Sequence, residues 1–151
     1  MKTFKDNEGR EWSVSINVGT IKRVRGMLNV DLLTVVDGKS DLMSQLMTDP
    51  ILLVDVIYVL CKPQADDRNI SDEKFGEAMA GDAIEAATDA LIGELIDFFP
   101  EAKRAVFQMA VNKTKKTQSM AIQRATEWIQ SGELDRQIED ELNKALPLSG
   151  S

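Results

Sequence analysis

The 151-residue sequence contains no histidine. Histidine is the commonest general base in enzymes and the commonest metal ligand in proteins, so its absence excludes every triad that depends on an imidazole. The acidic pairs Asp66-Asp67 and Asp72-Glu73 lack the alternating ligand spacing and the glycine of a calcium-binding loop. No phosphate-binding glycine loop is present either. We therefore predict that the protein is not an enzyme and uses no cofactor and no metal.

Cysteine is nearly absent as well, because Cys61 is the single one in the sequence. It cannot form an internal disulfide, which is typical of a reducing compartment. The first residues contain no apolar signal-peptide core, so we expect a cytoplasmic location. Without a histidine to activate it, Cys61 is predicted to be a buried structural thiol.

Aromatic residues make up 5% of the sequence, and the formal net charge is −7. Both features make general nucleic-acid binding unlikely, since that requires a basic surface and is often supported by aromatic stacking. No apolar run approaches the roughly 20 residues that a helix needs to cross a bilayer. We therefore predict no membrane segment.

The most apolar stretch is TDPILLVDVIYVLCKPQ, residues 48–64, which Asp55 interrupts near its middle. Its β-branched residues favour a strand, but its ends favour a helix. Asp49 followed by Pro50 is typical of a helix start, and Lys62 followed by Pro63 is typical of a helix end. The stretch is interpreted as a helix that stops before a polar loop at residues 63–70.

Alternation in residues 2–16 predicts a β-hairpin with its turn at residues 6–9. Asn17 is expected to cap a helix over residues 18–28, and residues 29–36 are ambiguous between a helix end and a short strand. Ser40 is expected to cap a short helix at residues 41–47, and Ser71 another at 72–80.

The second half of the sequence is also helical in pattern. Asp82 is expected to cap a helix over residues 83–99, after which Pro100 marks either a kink or the first turn of a new helix. An amphipathic helix follows Gly132, with an apolar stripe formed by Leu134, Ile138, Leu142 and Leu146.

These patterns together predict a mainly α fold, in which a small N-terminal β-hairpin packs on a compact bundle of short helices. Residues 1–101 are predicted to form the hairpin and the helical core. Residues 102–148 form a basic helical extension with the C-terminal amphipathic helix, either within the same domain or as an arm.

Charge is unevenly distributed along the sequence. Residues 1–61 carry 7 basic and 8 acidic side chains, residues 62–102 carry 3 and 11, and residues 103–151 carry 8 and 6. The basic tract is Lys103, Arg104, Lys113, Lys115, Lys116 and Arg124. One interpretation is two solvated helix faces of opposite sign; the other is attraction between the acidic middle and the basic tract, within a chain or between chains.

Four segments, residues 9–33, 49–64, 70–79 and 89–100, follow one another in a characteristic order and spacing. In this order and character the chain resembles the tail assembly chaperone family of long-tailed bacteriophages and prophages, over residues 4–101. The resemblance implies a small helical protein that coats apolar helices of the tape-measure protein before tail tube assembly, without any chemistry. Many members of that family also exist as a longer frameshifted product whose extension recruits the tail tube protein, so the resemblance implies this protein as a further partner. The basic tract and the last helix lie beyond the resemblance.

The apolar stripes predict two candidate partner-binding surfaces. The alternative is that the same residues simply fill the core. The first is Leu52, Leu53, Val56 and Tyr58; the second is Phe98, Phe99, Val106, Phe107 and Met109. Because short helices with wide apolar faces need partners, we also expect self-association. The alternative function is a small helical regulatory or nucleic-acid-associated protein that uses the basic tract.

Overall fold

The computed structural model describes residues 1–37 and 40–145, and among these the side chains of all but residues 133–135 and 143–145. The chain begins with two antiparallel strands, β1 (Lys2–Lys5) and β2 (Glu11–Val14), in a register that places Phe4 opposite Trp12. Phe4, Trp12 and Val14 are buried, whereas their neighbours along the strands are exposed or half-buried. This alternation gives the hairpin one core-facing side, as predicted.

The carboxylate of Asp6 organises the hairpin turn. Its Oδ1 accepts hydrogen bonds from the backbone N–H groups of Glu8 and Arg10, and its Oδ2 accepts from Arg10 Nε and Trp12 Nε1, both at 2.9 Å. Burial alone would raise the pKa of Asp6, but the bonds from Trp12 and Arg10 outweigh it and lower that pKa below 3.8. Asp6 therefore joins the turn to the core through Trp12.

The next helix, α1 (Val18–Leu28), begins as predicted: the Asn17 side chain accepts from the Thr20 N–H, and the Thr20 hydroxyl accepts from the Asn17 N–H. The ambiguous segment that follows is neither α-helix nor strand. It forms a 3₁₀ helix over Leu32–Val36, because Asp31 accepts from the Leu33 N–H and starts a tight turn. In α2 (Leu42–Thr48) the Leu42 N–H donates to Ser40 Oγ at 3.1 Å.

The apolar stretch forms α3 (Pro50–Leu60), so its interpretation as a helix is confirmed. Asp49 Oδ1 accepts from the N–H groups of Ile51 and Leu52 at the helix start. The predicted loop after it is wrong, because a second helix, α4 (Lys62–Asp67), begins at once. Pro63 lies in the first turn of α4, where its missing N–H has no intrahelical partner to lose.

Two further helices complete the first half of the fold, α5 (Asp72–Glu77) and α6 (Asp82–Phe98). Ser71 Oγ accepts from the Lys74 N–H and caps α5 as predicted. The N-cap of α6 is Gly81 rather than Asp82, because the chain turns there with a φ of 57°, a conformation that favours glycine. The hairpin packs on α6, where a Cβ at Gly93 would collide with the side chain of Lys2.

Pro100 precedes a new helix, α7 (Glu101–Gln130), and α8 (Glu133–Ala145) follows the turn at Gly132. Of the stripe predicted on α8, Ile138 and Leu142 are exposed. The side chain of Leu134 and the whole of Leu146 lie outside the described residues.

The chain divides into two compact units, Met1–Val111 and Asn112–Ser151, with the division inside α7. The first unit extends past residue 101, where the sequence analysis placed the boundary, because Phe107 and Val111 are buried. The Phe107 ring lies 5.7 Å from the ring of Phe99. The predicted fold class is confirmed, since the chain is mainly helical with an N-terminal hairpin packed against the helices.

Among the described residues no single helix has the length and apolar character needed to cross a membrane. Only α2 and α3 taken together reach that length, and they are bent by 100° at the break between them. Their apolar side chains that point inward belong to the core of the first unit, including Leu46, Leu53 and Val56.

Candidate functional site

An open groove lies along the outer side of α3, bordered by α5, by the segment after it, and by the start of α6. It has a volume of about 370 Å³. Its lining residues are Pro50, Ile51, Val54, Asp55, Asp72, Gly76, Met79 and Ile84. We call this feature the acidic groove, because its lining is apolar apart from two carboxylates.

The groove exists because α3 is apolar around most of its circumference. Leu53, Val56 and Ile57 face the core, so the residues on the opposite side remain accessible. These are Ile51, which is 74% exposed, and Val54, which is half-buried. A helix that is apolar on all sides normally has neighbours on all sides. Among the described residues, none covers Ile51 on the outer side of α3.

Asp55 and Asp72 give the groove its charge. Burial raises the pKa of Asp55 above its ordinary value of 3.8, and the nearby carboxylates of Asp72 and Asp49 raise it further. No basic residue is among those that line the groove. A cationic side chain placed beside Asp55 would relieve this mutual repulsion, so the groove favours a ligand that combines apolar and basic groups.

Catalysis in the groove has no structural support. Its polar side chains are two carboxylates, with no nucleophile beside a base. Within the described ranges no three His, Cys, Asp or Glu side chains lie close enough to hold a metal ion.

Cys61 lies apart from this groove, at the end of α3, and is buried. Burial raises the pKa of its thiol to about 12, and the Sγ atom lies 3.5 Å from the carbonyl oxygen of Ser13. A thiol with that pKa is protonated at neutral pH and is a poor nucleophile. The prediction of a buried structural cysteine is confirmed.

The first predicted contact surface is mostly core. Leu53 and Val56 are buried, because α3 presents them to the inner helices, and as a contact surface they are wrong. Leu52 and Tyr58 are half-buried, and the Tyr58 ring packs 5.4 Å from the ring of Phe75. The exposed apolar residue of α3 is Ile51, which the sequence analysis did not select.

The second predicted surface divides in the same way. Phe99 and Phe107 are buried against each other, so their assignment to a contact surface is wrong, and Phe98 is half-buried beside Phe99. Val106 and Met109 are 55% and 72% exposed on α7. These two residues remain candidates for a contact.

The basic tract lies entirely on α7, and all six of its side chains are exposed. Arg104 Nε donates a hydrogen bond to the carbonyl oxygen of Ile96 near the end of α6, at 3.1 Å. At 100° per residue, Lys113, Lys116 and Arg124 fall within an arc of about 80°, while Lys115 points to the far side of the helix. The tract is therefore not one continuous basic surface.

The signal for Ile51 and Val54 was present in the sequence, since Ile51, Val54 and Asp55 have the i, i+3 and i+4 spacing of one helix face. The opposite face of α3, with Leu53, Val56 and Ile57, has the same spacing, so the pattern alone did not show which face was outside. Packing against α1, α2 and α6 makes that choice.

Comparison of the chain with protein-family models, with curated proteins and with solved structures found no match. The inference of function therefore starts from the acidic groove.

Proposed function

We propose that this protein is a non-catalytic tail assembly chaperone of a phage or prophage, which holds apolar helices of the tape-measure protein in the acidic groove before the tail tube assembles. The observation that supports this proposal is the 74% exposed Ile51 at the mouth of an apolar groove. In this proposal the chain acts in the host cytoplasm. Its second partner is the tail tube protein, which binds to a longer frameshifted product of the same gene.

A helix lying in an apolar groove is a common mode of peptide recognition, in which side chains at i, i+3 and i+4 anchor the ligand. Here Val54, Met79 and Ile84 provide the apolar lining. Met79 is 7% exposed, so it contributes to the floor of the groove. Methionine is a flexible, polarisable side chain that suits ligands of different shape. Such a lining suits a chaperone that must accept many turns of a long helix in succession.

The carboxylates restrict which helices bind well. A fully apolar helix would leave Asp55 and Asp72 desolvated and without a counter-ion, which is unfavourable. A helix with lysine or arginine beside its apolar stripe would pair with them instead. We therefore expect the bound segments of the tape-measure protein to be amphipathic and basic at the edge of their apolar face.

The proposal predicts a tape-measure gene in the same gene cluster, and co-expression with its product tests the proposal. We expect the soluble fraction of the tape-measure protein to rise when this chain is present. Ile51→Asp should abolish that rise, because it puts a third carboxylate at the mouth of the groove. The matched control is Ile122→Asp, which changes an isoleucine of α7 that is 68% exposed and is not among the residues that line the groove.

Two outcomes would refute the proposal. In the first, the tape-measure protein is equally soluble without this chain. In the second, the Ile51 and Ile122 variants have the same effect, which would mean that the groove is not the binding site. Circular dichroism of both variants establishes that the helical fold is retained.

A further inference from the structure

One face of α7 has the chemistry that the acidic groove lacks. Lys113, Lys116, Met120 and Arg124 lie within an arc of about 80° on this helix. All four side chains are exposed, and Met120 is 43% exposed. We call these four residues the lysine–methionine face. It lies wholly in the second compact unit.

The two surfaces match in charge and in polarity. The acidic groove carries Asp55 and Asp72 and no basic lining residue. The lysine–methionine face carries three cations around one apolar side chain, and residues 103–126 contain no acidic residue at all. Methionine is unbranched and flexible, so Met120 can fit an irregular apolar groove while the flanking cations approach the carboxylates.

The exposed apolar face of α8, in the described part of the second unit, fits the groove poorly. Ile138 and Leu142 of α8 are exposed, but they are flanked by Glu139, Asp140 and Glu141. These carboxylates would face those of the groove, and like charges brought together at an interface are destabilising. Charge therefore favours α7 over α8 as the occupant.

We propose that the acidic groove of one copy of the chain binds the lysine–methionine face of a second copy, so that copies associate head to tail. The inference rests on the premise of the proposed function that the groove binds helices, and it names a second occupant for the same groove. The two surfaces differ, so each contact uses the groove of one copy and the lysine–methionine face of the other. The first copy keeps a free face, and the second keeps a free groove. Repetition of the contact then builds a ring or an open chain.

This contact would give the groove an occupant before the tape-measure protein is made. Its apolar lining would be covered, and a client helix would have to displace the neighbouring copy. Both occupants share the same chemistry, an apolar stripe with basic residues at its edge. Self-association and client binding are then mutually exclusive at each groove.

Charge substitutions on each surface, followed by mixing, test the head-to-tail contact. The groove variant is Asp55→Asn with Asp72→Asn, and the face variant is Lys113→Glu with Lys116→Glu, so the two altered surfaces do not attract each other in a mixture. We expect the full-length wild-type chain to show a molar mass that rises with concentration and falls with added salt. Each variant alone should self-associate at least tenfold more weakly, because the neutral groove no longer attracts the cationic face and the acidic face is repelled by the intact groove.

The decisive measurement is an equimolar mixture of the two variants. The face variant has an intact groove and the groove variant has an intact face, so one productive contact per pair remains. We expect a dimer that does not grow further with concentration, measured by light scattering or sedimentation velocity. The matched control is Lys115→Glu, which changes the same charge on the far side of α7 and should self-associate like the wild type.

Several results would overturn the inference. They are a wild-type chain that stays monomeric at high micromolar concentration, a variant mixture that forms no dimer, or a Lys115 control as weak as the face variant. The face variant has exposed substitutions only, so misfolding of the groove variant does not remove the test. Duplex DNA binding that depends on Lys113 and Lys116, with no change in mass, would support the nucleic-acid alternative and also overturn the inference.

Client solubility separates this inference from the proposed function. A monomeric wild-type chain that still keeps the tape-measure protein soluble overturns head-to-tail association and leaves the chaperone function standing. A chain that self-associates as expected but leaves the tape-measure protein insoluble overturns the chaperone function and leaves head-to-tail association standing.

Discussion

Truncation of Ile51 to alanine separates the stability of the fold from the binding strength of the acidic groove. Complete burial of an isoleucine side chain contributes about 1.5–3 kcal/mol. Ile51 is 74% exposed, so only about a quarter of that contribution is made on folding. Alanine also has a higher helix propensity than isoleucine, which offsets part of the loss. We expect the free energy of unfolding to change by no more than about 0.5 kcal/mol.

Binding should change much more. The exposed three quarters of the side chain is the part that a helix in the groove would cover, which corresponds to about 1–2 kcal/mol. A factor of ten in affinity corresponds to about 1.4 kcal/mol, so Ile51→Ala should weaken binding by roughly 5- to 30-fold. Ile122→Ala is the control, because Ile122 has a similar exposure and lies outside the groove.

The assay is fluorescence anisotropy with a labelled peptide from an amphipathic, lysine-bearing helix of the tape-measure protein, with thermal unfolding measured on the same samples. The reasoning is refuted if Ile51→Ala binds the peptide as tightly as the wild type. It is equally refuted if the variant unfolds many degrees lower, since Ile51 would then belong to the core.

Four further predictions concern the hairpin, α3 and α4. Asp6→Asn should lower the free energy of unfolding by about 2–3 kcal/mol, because a buried charge with several donors is lost. The lowered pKa of Asp6 means that its stabilisation is complete above pH 3.8 and is lost as the pH falls through the folded value, so the gap between wild type and variant should close in acid; a constant gap would contradict this. Asp55→Asn should instead raise the unfolding midpoint at neutral pH, because the raised pKa of Asp55 makes its charged form unfavourable in the fold. That gain should vanish below pH 3.8, where the carboxyl is protonated in both states, and a variant less stable at neutral pH would show the sign to be wrong. Gln64→Ala should cost about 2 kcal/mol, since the Gln64 amide both accepts from the Ser13 N–H at 2.9 Å and donates to its carbonyl at 2.8 Å; an unchanged denaturant midpoint would mean that water replaces both bonds. Cys61 should react with a thiol reagent only as fast as the chain unfolds, and rapid labelling of the native protein would contradict its burial and its pKa of about 12.

Local signals in the sequence predicted most element boundaries. Asn17 and Asp49 both cap helices in the structure, because a short side chain that accepts from nearby N–H groups acts within three residues and needs no tertiary contact. Pro63 shows the limit of such signals. A proline is equally compatible with the end of one helix and the first turn of the next, and the sequence alone does not distinguish them.

The candidate site was predicted much less well than the fold. Apolar residues occur on both sides of α3, so Leu53 and Ile51 look equivalent in the sequence, and only Leu53 is buried. Phe107 lies beyond the boundary predicted at residue 101, yet its ring packs against Phe99 in the first unit. The first outcome depends on helices far away in the chain, and the second depends on how the chain turns between α6 and α7.

By itself, the sequence determined that this chain is mainly helical with an N-terminal hairpin, that it lacks imidazole chemistry, and that its charge is divided between an acidic middle and a basic tract. These properties follow from composition and from contacts within a few residues. Only the tertiary structure decided that Ile51, Val54 and Asp55 line a groove while Leu53 and Val56 fill the core. The physical reason is that burial is a property of the whole packed chain, because a helix with two apolar faces exposes whichever one its neighbours leave uncovered.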